Sequence, residues 1–149
     1  PAGSFDLGTC FEAAFHFDTR DSFLREACRV LRPGGTLVLA DILFSPSPTA
    51  AAVAVWNVND RNGLGDPAGY AAALRAVGFE DVRVEDATEA TWRAWLAHLN
   101  AWLTTEHERG NVPTDRLHQW RQSTPALRDA VKHYVLATCR KSGGYRTSR

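Results

Sequence analysis

Asp21-Ser-Phe-Leu-Arg-Glu-Ala-Cys-Arg-Val-Leu-Arg-Pro-Gly-Gly35, running directly into Thr36-Leu-Val-Leu-Ala-Asp-Ile-Leu43, is the stretch whose reading decides the fold. Phe23, Ala27, Val30 and Leu31 recur at helical spacing and give one apolar face, with Arg20, Arg25, Glu26 and Arg29 mostly elsewhere. Asp18 or Thr19 can cap the start. Arg32-Pro-Gly-Gly35 ends the helix, because proline cannot continue it and the glycines permit a left-handed turn. The run from Thr36 to Leu43 is apolar at nearly every position, the pattern of a strand covered on both faces. Upstream, Phe5 to Phe11 is a short apolar run that suits a buried strand. Strand, helix, turn and strand make a βαβ unit with a right-handed crossover.

Farther along, Ser45-Pro-Ser-Pro48 breaks the pattern, a helix is expected over Ala50 to Asn59, and Asp60 to Asp66 reads as a loop. Pro67 suits the first position of a helix closed by Gly78. Phe79 to Asp86 alternates in part and reads as a strand. Thr88 to His107 is a helix with a Trp92, Trp95 and Trp102 stripe. That stripe reads first as core and second as the wall of an aromatic substrate pocket. A helix around Thr114 to Gln122 follows, then a second short helix opened by Ser123-Thr-Pro125. Val131 to Cys139 is a final strand. The domain is expected to cover 1–141, with 142–149 as a flexible tail.

Composition narrows the function. The chain of 149 residues is 44% hydrophobic and 23% charged, with a formal net charge of +0. Such a balance, without a basic cluster, argues against a nucleic-acid or anionic-membrane partner. Cys10, Cys28 and Cys139 are scattered and odd in number. They read as small buried apolar residues in a reducing, cytoplasmic setting. No signal peptide is visible. The lack of any Met predicts that residue 1 is a cut point in a longer gene product. His98, His107 and His118 lie on helices without matching carboxylates, so no metal site is read.

Taken together, Ser4-Phe-Asp-Leu, Glu12-Ala-Ala-Phe-His-Phe17, Asp21 to Gly35 and Leu37-Val-Leu-Ala-Asp41 resemble the class I S-adenosylmethionine-dependent methyltransferases. They match that family's fourth strand, fourth helix and fifth strand. Tyr70 to Val82 resembles the later helix and sixth strand, and His133 to Lys141 the closing seventh. The resemblance implies the C-terminal half of a Rossmann-like α/β fold, strands four to seven, with the last antiparallel. Within the family the chain is most similar to tocopherol-type and sugar O-methyltransferases of natural-product pathways. These share the Glu-x-x-x-His loop and the Asp closing strand five.

The resemblance implies S-adenosylmethionine as cofactor and a small-molecule acceptor, most simply a hydroxyl. It also marks a departure. The family's glycine-rich loop after strand one, and the acidic residue after strand two, are not found here. Gly34-Gly35 precedes a strand, whereas a cofactor loop follows one. The chain is therefore expected to carry half a cofactor site, and to be inactive alone.

His16 lies just past one strand and Asp41 at the carboxyl end of the next, where open α/β sheets bind ligands. An imidazole can take a proton at neutral pH, so His16 is the candidate general base. Asp41 is expected either to orient it or to bind the substrate hydroxyl. The structural alternatives are a solvated His and an Asp that caps a turn. Cys10, Phe11 and Glu12 are the candidate cofactor contacts, and Phe15, Trp56 and Asn57 the candidate substrate contacts, the last two in a lid. The strand from Phe5 should be an apolar sheet edge that invites self-association or pairing with the absent half. The competing readings are a non-catalytic interaction module and a nucleotide-dependent oxidoreductase. Neither a glycine fingerprint nor a Tyr-x-x-x-Lys pair supports the latter.

Overall fold

The computed structural model describes residues 1–45, 62 and 65–143. The strands are β1 (Phe5–Phe11), β2 (Leu31–Phe44), β3 (Phe79–Asp86) and β4 (Val131–Lys141). The helices are α1 (Arg20–Val30), α2 (Pro67–Ala76), α3 (Ala94–Glu108) and α4 (Thr114–Ala130), with a 3-10 turn at Ala14–His16 and a π turn at Glu89–Arg93. Among the described residues the sheet has the order β1-β2-β4-β3. β1 runs parallel to β2, and β4 runs antiparallel to both β2 and β3.

Local chemistry sets the element ends. The Thr19 side chain caps α1 by accepting from the Ser22 amide, and Asp66 caps α2 by accepting from Gly69. β2 differs from the expected turn-then-strand. It begins at Leu31 and carries Arg32–Gly35 as a bulge, because Phe5 pairs with Leu31 but Leu7 pairs with Thr36. Gly34 has φ +79°, and a Cβ on Gly35 would sit 2.9 Å from the Arg32 carbonyl oxygen. Only glycines let the bulge close against β1.

α4 is a second departure. Two helices were expected around Pro125, yet one runs through it. The Ser123 and Thr124 hydroxyls donate to the Gln119 and Trp120 carbonyls and hold the turn before the proline. The tail expectation is only partly within view. Ser142 bonds through its amide and hydroxyl to the Gly78 carbonyl, and residues 144–149 lie outside the described region. The expected helix over Ala50 to Asn59 lies outside it too.

The core occupies one face of the sheet. Leu37, Leu39 and Leu43 of β2 and Val135, Ala137 and Cys139 of β4 meet Leu24 and Ala27 of α1 and Tyr70 and Leu74 of α2. On the opposite face, among the described residues, Phe15, Ile42 and Val131 pack with Phe44, Trp92 and Tyr134 toward the carboxyl end. On the same face Phe11 is 60% and Leu136 41% exposed. Trp95 and Trp102 are about half exposed; Trp92 packs on the smaller cluster and Trp95 stacks on Trp92, with ring centroids 5.1 Å apart.

Candidate functional site

The carboxyl ends of β1 and β2 are bridged by the segment from Glu12 to Thr19. Its 3-10 turn straddles the sheet edge. Ala14 drops into the main core on one face and Phe15 into the smaller cluster on the other. His16 is thereby left at the top, exposed, with its ring centroid 4.1 Å from that of Phe15. Phe15 itself is only 3% exposed and forms the floor beneath His16.

Glu12 ends β1 in the left-handed region, with φ 50°, and its amide donates to the Ala40 carbonyl at 2.8 Å. That backbone reversal turns its carboxylate across β2 toward β4, where Tyr134 donates its hydroxyl to Glu12 Oε1 at 2.7 Å. Burial, and then the Glu12 carboxylate, push the Tyr134 phenol well above its usual range. Tyr134 thus remains a donor, and Glu12 its acceptor at the rim of the open face.

Asp41 is placed differently from His16. It points to the helix-covered face and is fully buried. Its Oδ2 accepts from Arg20 Nε at 2.7 Å and from the Tyr70 hydroxyl at 3.0 Å, and its Oδ1 accepts from the Ile42 amide at 2.9 Å. The structure therefore does not bring His16 and Asp41 into contact. It joins Asp41 to Arg20, which the helical pattern had put among the polar-face residues and which is 2% exposed. A charge in the middle of an apolar strand needs a buried partner, and Arg20 at the first turn of α1 supplies it. Burial, and then the Asp41 charge, raise the Tyr70 phenol far beyond its normal range and also lift the Cys10 thiol.

Arg20 also binds Asn62. The Arg20 amide donates to Asn62 Oδ1 at 2.5 Å, and its guanidinium donates to the Asn62 carbonyl and, at 3.1 Å, to the Ile42 carbonyl. Asn62 Nδ2 donates in turn to the carbonyls of Phe15 and Phe17, at 2.9 and 2.8 Å. Sequence reasoning missed Arg20, Asn62 and Tyr70 as a group. The one available signal was the unpaired Asp within an otherwise apolar strand.

A histidine–carboxylate pair does form, at the far side of the sheet. His133 Nδ1 lies 2.7 Å from Asp86 Oδ2. Burial alone would raise the Asp86 carboxyl. Hydrogen bonds from the Thr88 hydroxyl and amide, together with His133, hold it below its ordinary value.

Of the cofactor candidates, Cys10 faces the core, whereas Phe11 and Glu12 are open at the strand end. An exposed ring beside a fixed carboxylate suits one wall of a cationic, nucleoside-bearing cofactor. Gly34 and Gly35 stand at the opposite end of β2, where Gly35 packs on the Phe5 and Asp6 carbonyls, and form no cradle. Trp56 and Asn57 lie outside the described residues.

A family model described as a methyltransferase domain matches residues 1–39. The chain is 37% identical over 100 residues to 27-O-demethylrifamycin SV methyltransferase of Amycolatopsis mediterranei, covering 64% of this chain and 36% of that protein. It is 30% identical to erythromycin 3''-O-methyltransferase of Saccharopolyspora erythraea, over 95% of this chain and 52% of that one. The chain thus spans between a third and about half of these relatives' length. Among solved structures, phosphoethanolamine N-methyltransferase 2 of Haemonchus contortus, in complex with phosphomonomethylethanolamine and S-adenosylhomocysteine, superposes with a TM-score of 0.72. The match has 16% identity and covers 95% of this chain and 34% of that one.

Proposed function

The chain carries strands four to seven of the class I S-adenosylmethionine-dependent methyltransferase fold, and from that premise we propose that it forms the acceptor side of a small-molecule methyltransferase. The observation that carries the reading is His16. It is an exposed imidazole held at the carboxyl edge of parallel strands, above the Phe15 ring and on the segment that begins at Glu12.

S-Adenosylmethionine, when bound, supplies an electrophilic methyl group. Phe11 and Glu12 would hold it from this side, Phe11 by its open ring face and Glu12 by its anchored carboxylate. His16 takes the proton from the acceptor hydroxyl as the oxygen becomes nucleophilic, a contribution of about 10²- to 10⁴-fold in such reactions. Phe15 keeps water from beneath the ring. Asp41 serves from a distance, by fixing Arg20. The similarity to relatives named as O-methyltransferases supports a hydroxyl acceptor.

The alternative, a binding module with no turnover, draws support from the exposed Phe11 and Leu136 and from the outer edge of β1, which is unpaired among the described residues. That surface suits pairing with a further segment of a methyltransferase domain, or with a second copy. Calorimetric titration of S-adenosylhomocysteine tests the choice. The compared proteins are this chain and one joining it to a segment with a glycine-rich cofactor loop. Binding by the joined protein, and methyl transfer that falls at least 100-fold in His16→Ala, is the expected result. Absence of binding by both, or full activity in His16→Ala, overturns it.

A further inference from the structure

Asn62 is 7% exposed, and its side chain is fully committed. Its Oδ1 accepts from the Arg20 amide, and its Nδ2 spans the carbonyls of Phe15 and Phe17. Those two carbonyls flank His16 on either side. A primary amide is the right group here, since it offers an acceptor in one direction and two donated hydrogens in the other. Arg20 presents its amide and guanidinium to Asn62 while Asp41 and the Ile42 carbonyl hold the guanidinium still. Tyr70 holds Asp41 in turn. The result is a buried chain of bonds from α2 through β2 and the start of α1 to the turn that carries His16.

We propose that Asn62 is a positioning residue for His16, acting through the peptide carbonyls on either side of it. This rests on His16 being the base. Satisfying both carbonyls fixes the backbone from Phe15 to Phe17, and with it the direction in which the His16 side chain leaves the main chain. The remaining side-chain torsions are restrained by the Phe15 ring. A displacement of about 1 Å at a reacting group can cost on the order of 10²-fold in rate, so a turn held from both sides is a functional requirement for a base. Asn62 is distant in sequence from His16, and Asp41 reaches His16 through Arg20 along this path.

Asn62→Asp separates this role from simple support of Arg20. Aspartate is isosteric and still accepts from the Arg20 amide, but it cannot donate to the two carbonyls. Histidine-labelled chain is observed by NMR, every variant at the same pH, about two units above the ordinary histidine pKa of about 6.5. His16 is assigned by its loss in His16→Gln. In the unaltered chain its ring signals are displaced by the Phe15 ring. In Asn62→Asp they are expected to lose half or more of that displacement and to broaden or average. Leu74→Val, which loosens the core one turn beyond Tyr70 without removing any polar member of this path, should leave them in place.

Unchanged His16 signals in Asn62→Asp, or an equal change in Leu74→Val, would overturn the proposal. If Asn62→Asp does not fold, Asn62→Ala, which removes the contacts to Arg20 and to both carbonyls together, is compared with Leu74→Val for the loss of the His16 displacement alone. The measurement needs neither cofactor nor acceptor. Loss of the base assignment in a turnover assay would therefore leave the restraint of His16 by Asn62 standing but remove its catalytic meaning, whereas failure of the NMR comparison would remove the positioning role and leave the base assignment untouched. With an acceptor in hand, Asn62→Asp should lower kcat by about 10- to 100-fold with KM nearly unchanged.

Discussion

The two faces of the sheet are made from the same strands and treated in opposite ways. On one, α1 and α2 seal Leu24, Leu74 and Tyr70 to 0% exposure around a fully buried ion pair. On the other, Phe11 and Leu136 stand exposed, and among the described residues the covering is by Phe15 and Trp92 at the carboxyl end. Alternation along a strand sends neighbours to opposite faces, so both faces were supplied with apolar residues. The difference separates the packed core from the candidate site in this molecule. The sealed face holds the fold, and the roofed end of the open face presents His16, Glu12 and Tyr134.

The largest effects should come from the sealed face. Asp41→Ala strands the Arg20 guanidinium in the core and should cost about 3–5 kcal/mol, enough to unfold a marginal domain. Urea unfolding followed by circular dichroism measures it, and a loss under 1 kcal/mol would mean that the pair is not sealed. Leu74→Ala, with its side chain wholly buried, should cost about 2–5 kcal/mol in the same experiment. Tyr70→Phe removes one bond to Asp41 and should cost about 1–2 kcal/mol.

The open face should behave otherwise. Phe11→Ser combined with Leu136→Ser should change stability by less than about 0.5 kcal/mol, as expected where little apolar area is buried. The same pair should reduce self-association seen by light scattering. A strong loss of stability would show that this face is covered in the isolated chain.

A smaller test concerns Asp86. Its carboxyl lies below its ordinary value of 3.8, so the stability it contributes is present above that pH and lost as pH falls through the lowered folded value. Asp86→Asn should therefore narrow the gap to the unaltered chain below about pH 4. A gap that is constant from pH 2 to 6 would contradict the shift.

Much of the fold was readable because its signals are local. The Thr19 cap, Pro67 at the start of α2, Gly78 after it and the alternation in Phe79 to Asp86 each act within a few residues. Their elements appear where those residues put them. Pro125 misled for the same reason. A proline is a local stop signal, and hydroxyls just before it overrode that signal. The site was readable only in outline. His16 and Glu12 follow a strand end, and strand ends can be found from periodicity.

What the sequence alone determined is the order of the four strands, the parallel β1–β2 pair joined through α1, and a resemblance carried by contiguous motifs. What only the tertiary structure decided is which charges meet. Asp41 finds Arg20 across 21 positions and Asn62 reaches Phe17 across 45, and Asp86 rather than Asp41 pairs with a histidine. The physical reason is range. Hydrophobic period and turn chemistry are set by neighbours along the chain. The partner of a buried charge is set by which side chains the packed sheet and helices bring within hydrogen-bond distance.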